Sequence, residues 1–356
     1  SLGLVGSEMC IRDREGAARP EEMVFTASLL GLSGLGIADR NSVAGVVRAY
    51  NQMKEMAAAF ERQEKTGRRD GEEVAANPCR FQPGARLVFS DETPDVLAYP
   101  RNRQGWANLC RLLSRGNLRT EKGSCILEEW DFFEWCDEMM LAVVPDFGRV
   151  EDEDYLPRLD RQLGKYRERF RKNIYLALAP TYDGRDALVF ASFAQLARRH
   201  RMPLIATNLP IFSLPERRSL ADVVTAIREH LTVQEAGFRL APNGERFIKH
   251  AAEMTRLFHA YPQAVENTVD FFAHLKFSLE EISHNYPDES VPGETVTETL
   301  ERLTWEGARR RYPDKIPEQV SEQIDYELGL IKEMEYEPYF LTVRHIVWHA
   351  RYVLKI

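Results

Sequence analysis

Short apolar runs alternate with longer amphipathic stretches through the first 215 residues, and this alternation limits the possible folds more than any other feature. A strand, a helix and a second strand in succession form the repeating unit of α/β proteins. Several such units favour a closed or nearly closed parallel barrel over a sandwich. Buried strands are predicted at 35–38, 86–89, 96–99, 140–144, 174–179 and 203–207, with helices at 106–114, 127–137, 155–170 and 187–199.

Two loops are predicted between these elements. The turn-forming residues at 91–94 indicate that the strands at 86–89 and 96–99 pair with each other. Residues 61–78 are rich in Glu, Arg, Gly and Asn, and we predict a polar loop there.

Helices replace strands after Pro215. The Pro-containing segment 283–293 is predicted to be a linker, so a helical connector at 216–283 precedes a further region at 284–356. In the helix predicted at 318–334, Ile324, Leu328 and Ile331 recur at helical spacing, which predicts one buried stripe.

Charge and cysteine content exclude several classes of protein. The formal net charge is −8, which argues against a nucleic-acid-binding surface over the whole molecule but allows a local basic groove. No apolar run approaches the roughly 18–20 residues that span a membrane. The five cysteines show no metal-binding spacing, so we expect reduced thiols in a cytoplasmic protein.

Residues 1–14 are expected to be a non-native segment. They lack an initiator Met, and their apolar stretch is too short for a signal peptide. We therefore leave this segment out of the fold prediction. Residues 351–356 are expected to be a truncation or a frame error.

Several segments resemble, in the same order, the error-prone branch of the C-family DNA polymerases. One is Asp39-Arg40-Asn41-Ser42 within 35–49, and another is the basic run at 307–313. The block at 337–343 resembles the segment just before the catalytic core of these bacterial enzymes. Further matches lie at 16–22, 84–88, 109–114, 121–123, 217–228 and 286–289.

The resemblance implies an α/β fold: a PHP-type distorted βα barrel at 15–215, a mostly helical connector at 216–283 and the start of a polymerase palm region at 284–356. It implies a complete enzyme that is a DNA-directed DNA polymerase, extending primer–template DNA with deoxynucleotides and Mg²⁺. Palm aspartates would hold that Mg²⁺, and we expect them beyond the chain end, so this piece has no predicted catalytic residue or cofactor and should be inactive alone. The resemblance also implies a role in DNA replication and in repair synthesis, together with other mutagenic repair proteins.

PHP relatives bind up to three metal ions through His, Asp and Glu at the carboxyl ends of strands. The corresponding motifs here are degenerate: one reads Asp39-Arg40, another ends in Arg86, and a third has Asn208 and Pro210 at its two ends. Two arginines at such positions would repel divalent ions. The sequence therefore predicts a metal-free scaffold, with Asp39 as an ion-pair partner of Arg86 or as a helix cap.

Two features of the last region have competing interpretations. Arg309, Arg310 and Arg311 are possible phosphate contacts, although a solvated helix end explains them equally well. His345 and His349 have the spacing of metal-binding helices, but no Glu stands between them in the zinc-protease pattern, which favours an ordinary histidine pair.

Two other functions stay open from the sequence. The barrel could be an active PHP phosphoesterase or proofreading exonuclease, which predicts metal-dependent release of phosphate or nucleotides. Alternatively, it could be a non-catalytic docking module for repair partners, which predicts that Arg86→Glu leaves the polymerase activity of a full-length protein nearly unchanged.

Overall fold

The computed structural model describes the backbone of residues 2–5 and all of residues 16–67, 75–282, 286–287 and 289–355. The chain divides into two compact units, Ser1–Glu281 and Ile282–Ile356. This division falls beside the linker predicted at 283–293, of which residues 283–285 and 288 lie outside the described residues. No described helix is long and apolar enough to cross a membrane.

A seven-stranded sheet forms the centre of the first unit, and its strands follow one another in chain order. Neighbouring strands are parallel except β4, which runs antiparallel to both β3 and β5. The edge strand β1 lies inside the segment that the sequence analysis set aside; the rest of 1–14 lies outside the described residues. The strands are β1 Leu2–Val5, β2 Gly34–Arg40, β3 Arg80–Leu87, β4 Asp95–Pro100, β5 Met139–Val144, β6 Ile174–Leu178 and β7 Leu204–Ala206.

The sheet is mixed, which departs from the closed or nearly closed parallel barrel expected from the sequence pattern. Only residues 88–94 join β3 to β4, and a parallel pair needs a crossover of a dozen or more residues. The two strands therefore pair antiparallel, with Ala85 opposite Ala98 and Leu87 opposite Val96. The predicted strand pair is confirmed, and it is the element that distorts the barrel.

Ten helices of the first unit lie within its described residues. Their bounds are α1 Pro20–Leu29, α2 Val46–Thr66, α3 Arg103–Leu118, α4 Glu129–Trp135, α5 Tyr155–Phe170, α6 Asp186–Arg199, α7 Arg218–Arg228, α8 Val233–Ala236, α9 Ala251–Leu257 and α10 Pro262–Ala273. Helix α10 contacts β7 and β1, which are the two edge strands of the sheet. The prediction of a polar loop from residue 61 onward was wrong as far as Thr66, because its Glu, Arg, Gln and Lys residues are good helix formers.

Amphipathic helices cover strands that are buried on both faces. Every residue of β5 and of β6 is buried, as expected where helices pack on a parallel sheet. Helix α5 buries Leu159, Leu163 and Tyr166 at helical spacing and leaves its charged residues outside. Burying one leucine-sized side chain contributes roughly 1.5–3 kcal/mol, so these helix faces hold the unit together.

The described residues of the second unit form three α-helices, α11 Val296–Arg311, α12 Glu318–Glu333 and α13 Glu337–His349, and a π-helical turn at Ala350–Leu354. Thr295 caps α11, where its Oγ1 accepts a hydrogen bond from the Glu298 N–H at 3.2 Å. The stripe predicted to be buried on α12, formed by Ile324, Leu328 and Ile331, is only half-buried. Three helices provide too little surface to bury it completely.

Candidate site at the carboxyl ends of the strands

A cavity of about 740 Å³ opens where the carboxyl ends of β3, β5, β6 and β7 meet the amino end of β4. Arg86, Asp95 and Asn208 are among its lining residues. In βα barrels this end of the sheet carries the functional side chains. The structure thus brings together two of the positions singled out from the sequence, Arg86 and Asn208.

The guanidinium of Arg86 binds the carboxylate of Asp95 on the neighbouring strand. Its Nε lies 2.9 Å and its Nη2 2.7 Å from Asp95 Oδ2. The two side chains are 19% and 22% exposed, so solvent screens this pair only in part. The cation at this degenerate ligand position is therefore neutralised by a carboxylate that the sequence analysis did not identify.

Other arginines of the cavity and its rim are paired in the same way. Arg158 contacts Glu92, and Arg149 Nε lies 2.7 Å from Asp152 Oδ2. These contacts hold carboxylates that would otherwise be available to a cation. Several of the charged groups around the cavity thus form ion pairs.

Asp183 at the same cavity is held by Arg185 and Thr181. Arg185 Nη2 lies 2.7 Å from Asp183 Oδ2, and Thr181 Oγ1 donates a hydrogen bond to Oδ1 at 2.8 Å. The Arg185 guanidinium, with the backbone N–H of the same residue and the Thr181 hydroxyl, lowers the pKa of Asp183 to about 2. Asp183 is consequently a charged group across the ordinary pH range.

Asp39 stands at the end of β2 and is almost completely buried. Its Oδ2 accepts a hydrogen bond from the N–H of Gly45 at 2.7 Å, just before α2 begins at Val46. The carboxylate thus satisfies a backbone donor at a helix start. Burial raises the pKa of Tyr99, and the nearby Asp39 carboxylate raises it further, so the phenol stays neutral.

Arg40 lines a second cavity of about 320 Å³ rather than the first. The next residue, Asn41, has a φ of 45° and clamps Val88 through two hydrogen bonds of 2.8 Å, one from its Nδ2 and one to its Oδ1. Asn adopts this left-handed conformation more readily than most residues. Asn41 thereby fixes the chain just beyond the end of β3.

Asn208 is a buried structural clamp two residues after β7. Its Oδ1 accepts a hydrogen bond from the hydroxyl of Tyr182, and its Nδ2 donates to the carbonyls of Glu245 and Phe247 at 3.0 and 2.7 Å. An aspartate could not donate to these two carbonyls. Pro210, the other end of this degenerate motif, is buried.

Lys249 is a buried cation beside this clamp that the sequence analysis missed. Its Nζ lies 2.8 Å from Glu245 Oε2, 3.7 Å from the ring centroid of Phe247 and 5.3 Å from that of Tyr182. Two aromatic faces and one carboxylate compensate the charge. No periodicity or motif in the sequence distinguishes Lys249 from an ordinary surface lysine.

Within the described ranges, no group of three or more His, Cys, Asp and Glu side chains is placed to hold a metal ion. The carboxylates discussed above already accept hydrogen bonds from guanidinium, hydroxyl or backbone N–H groups. Those carboxylates are thus engaged in ion pairs and in hydrogen bonds to the backbone.

The candidate residues of the second unit belong to two helices: the arginine run lies on α11, and the two histidines lie on α13. Arg309, Arg310 and Arg311 are exposed in the last turn of α11, where Arg309 Nε donates to the Trp305 carbonyl at 3.3 Å. His345 Nδ1 lies 2.6 Å from Glu289 Oε2.

Family comparisons agree with the two-unit organisation. The PHP domain family matches residues 5–181, and the family described as the bacterial DNA polymerase III alpha NTPase domain matches residues 298–353. An error-prone DNA polymerase from Sinorhizobium medicae is 52% identical over 337 residues, which cover 95% of this chain and 28% of that protein. Error-prone DNA polymerase 1 from Rhizobium meliloti is 52% identical over 339 residues, again 95% of this chain and 28% of the relative.

The chain belongs to the C family of DNA polymerases. It spans about 28% of the length of the curated relatives it matches. The first unit of this C-family chain is accordingly a PHP-type α/β fold, as predicted. A solved amidohydrolase from Chromobacterium violaceum shares 13% identity and a TM-score of 0.40, covering 59% of this chain and 87% of its own.

Proposed function

We propose that this chain is the PHP and connector part of an error-prone, DNA-templated DNA polymerase that acts in damage-tolerant repair synthesis in the cytoplasm. The observation that supports this is 52% identity to error-prone DNA polymerases over 95% of the chain. The complete polymerase would extend a primer along template DNA with deoxynucleotides, using Mg²⁺ held by its palm aspartates. Other mutagenic repair proteins would be its partners.

Within that enzyme the PHP barrel is a scaffold that works without metal. The Arg86–Asp95 ion pair supports this proposal, because the guanidinium stands at the position that the family motif predicts for a metal ligand and it engages the adjacent carboxylate. Asn208 contributes an amide whose two ends already bind Tyr182 and two backbone carbonyls. A divalent ion would have to displace these contacts and approach a fixed cation.

The domain division that accompanies this proposal has the PHP barrel at 15–215, the helical connector at 216–283 and the start of the palm at 284–356. Helix α11, which lies in the last region, ends in the exposed run Arg309, Arg310 and Arg311. Three adjacent guanidinium groups suit contact with the phosphates of primer–template DNA.

A metal titration tests the scaffold against a hydrolase. The purified chain is titrated with Mn²⁺ and with Zn²⁺ in a calorimeter, and release of nucleotides from single-stranded DNA and of phosphate from a chromogenic ester is measured with each metal. We expect no saturable heat and no turnover. Saturable metal binding together with turnover that disappears on chelation would establish the hydrolase instead.

Primer extension tests the polymerase assignment. A polymerase of the relatives' length that carries this chain is expected to extend a primer only with template, deoxynucleotides and Mg²⁺. The variant R309Q/R310Q/R311Q is expected to bind primer–template DNA at least tenfold more weakly, since three phosphate contacts are lost. Absence of extension by the unaltered enzyme would refute the assignment, while unchanged DNA binding by the variant would refute only the role of the three arginines.

A further inference from the structure

Helix α3 carries a strongly cationic face in a chain whose net charge is negative. Arg103, Arg111, Arg115 and the C-terminal cap Arg119 are separated by eight, four and four residues, so they follow one side of the helix. The helix contains no Asp or Glu. Such a face is not needed for folding, because the buried residues of α3 lie on its other side.

Three of these arginines are available to a ligand. Arg103, Arg111 and Arg115 are exposed, and within the described part of the chain none of them forms an ion pair. Arg119 is different, because it is bound to the buried Asp131, with Nη2 2.7 Å from Oδ1. The cationic face therefore has three guanidinium groups available over about 18 Å of helix.

Apolar side chains stand among these cations. Trp130 is 44% exposed, and its ring lies under Arg115 and Arg119, with centroid distances of 5.4 and 4.5 Å. Its indole Nε1 donates to Glu128 Oε2 at 2.6 Å, which fixes the ring at the surface. Leu118 is 87% exposed at the end of the helix. Cations interleaved with exposed aromatic and aliphatic groups are the composition of surfaces that bind single-stranded nucleic acid.

We propose that the face formed by Arg103, Arg111, Arg115, Leu118 and Trp130 binds single-stranded DNA. The guanidinium groups contact phosphates, and the exposed part of the Trp130 side chain contacts a base. About 18 Å corresponds to roughly five nucleotides at the axial spacing of one strand in duplex DNA. A single strand is the ligand because the ring faces of bases inside a duplex are already stacked and cannot reach Trp130.

This proposal rests on the proposed polymerase function, which makes DNA the expected polyanion. It adds a contact for template strand that lies in the PHP unit, apart from the arginines of α11. Two acidic groups contact residues of this region. Glu128 accepts a hydrogen bond from Trp130, and Asp131 accepts one from Arg119.

The test measures binding of the 356-residue chain to a fluorescein-labelled oligo-dT of about 20 nucleotides by anisotropy, between about 50 and 200 mM salt. The variant R103Q/R111Q/R115Q is expected to bind about tenfold or more weakly, and its salt slope should fall by about 2. Trp130→Leu should weaken binding about fivefold or more without changing the salt slope. The matched control R62Q/R161Q/R256Q, three exposed arginines on other helices, should bind like the unaltered chain.

Several outcomes would overturn the proposal. These are failure of the unaltered chain to bind oligo-dT, equal binding by R103Q/R111Q/R115Q, and equal losses in R103Q/R111Q/R115Q and the control. Displacement of the oligonucleotide by poly-glutamate at the same charge concentration would assign the face to an acidic protein segment. Primer extension by the longer polymerase is measured separately. Its absence would refute the polymerase assignment, whereas unchanged oligo-dT binding by R103Q/R111Q/R115Q would refute only this DNA contact.

Discussion

Arg86 on β3 and Asp95 on β4 form an ion pair across the turn that reverses the chain, with Arg86 Nη2 2.7 Å from Asp95 Oδ2. The pair exists because β4 runs antiparallel to β3, which brings the first residue of β4 beside the end of β3. A parallel continuation would have carried residue 95 to the other end of the sheet. The departure from a regular parallel barrel and the Arg86–Asp95 ion pair thus have one cause.

Reversing the charge at this position should destabilise the first unit. Arg86→Glu places two carboxylates in a half-buried contact, and we expect the free energy of unfolding to fall by about 1–3 kcal/mol. The charge swap Arg86→Glu/Asp95→Arg should recover at least half of that loss. Urea denaturation followed by circular dichroism measures both, and a swap no more stable than Arg86→Glu alone would contradict the pairing.

The family and most of the strands could be predicted from the sequence because both are recorded in local patterns, although β1 was not predicted and β3 begins at Arg80, before the strand predicted at 86–89. The runs that became β5 and β6 are apolar throughout, and burial on both faces leaves that signature. The end of α2 could not be predicted as well: residues 61–66 are polar, but polarity alone does not separate an exposed helix from a loop.

The partners of the site residues were less predictable than the residues themselves. Arg86 and Asn208 stand out as departures from a motif, whereas Asp95 and Lys249 belong to no motif. Their roles depend on strand reversal and on packing between segments far apart in the chain, such as Tyr182 with Lys249. Contacts of that kind are set by tertiary structure rather than by spacing.

Gly84 should tolerate no side chain, because the ring of Tyr99 packs across it. A Cβ at Gly84 would lie 2.4 Å from Tyr99 Cδ1 and 2.8 Å from the Ala98 carbonyl oxygen. We expect Gly84→Ala to lower the free energy of unfolding by about 1–3 kcal/mol or more. The matched control is Gly307→Ala on α11, where nothing lies within 4 Å and helix propensity should raise stability by about 0.5–1 kcal/mol.

Chemical denaturation of both glycine variants measures these opposite effects. The double variant Gly84→Ala/Tyr99→Leu should be more stable than Gly84→Ala if the ring is the obstacle. Equal stability of Gly84→Ala and the unaltered chain would show that the strand shifts to accept the methyl group.

Lys249 should stabilise the chain mainly through its buried hydrocarbon stem. Its Nζ lies 3.7 Å from the ring centroid of Phe247, and the side chain is 2% exposed. Lys249→Ala should cost roughly 2–4 kcal/mol by leaving a cavity, whereas Lys249→Met keeps the stem and should recover most of that loss. If the Met variant is as unstable as the Ala variant in thermal denaturation, the charge and its pairing with Glu245 dominate instead.

Asp183 should make stability depend on pH in the acid range. The Arg185 guanidinium lowers its pKa to about 2, below the value of about 3.9 in an unfolded chain. A carboxyl with a lowered folded-state pKa contributes stability that is fully present above pH ~4 and is lost as the pH falls through about 2. We expect Asp183→Asn to cost about 1 kcal/mol at pH 7, a value reduced by solvent screening.

The difference between Asp183→Asn and the unaltered chain should shrink as the pH falls from about 4 and be mostly lost below pH ~2, where the wild-type carboxyl becomes protonated. Urea midpoints at a series of pH values measure it. The control Asp152→Asn removes the ion pair between Arg149 and Asp152. The Asp152 carboxylate is 49% exposed, so this change should cost at most a few tenths of a kcal/mol. A difference that stays constant from pH 7 to pH 2 would show that Asp183 acts through hydrogen-bond geometry rather than through its charge.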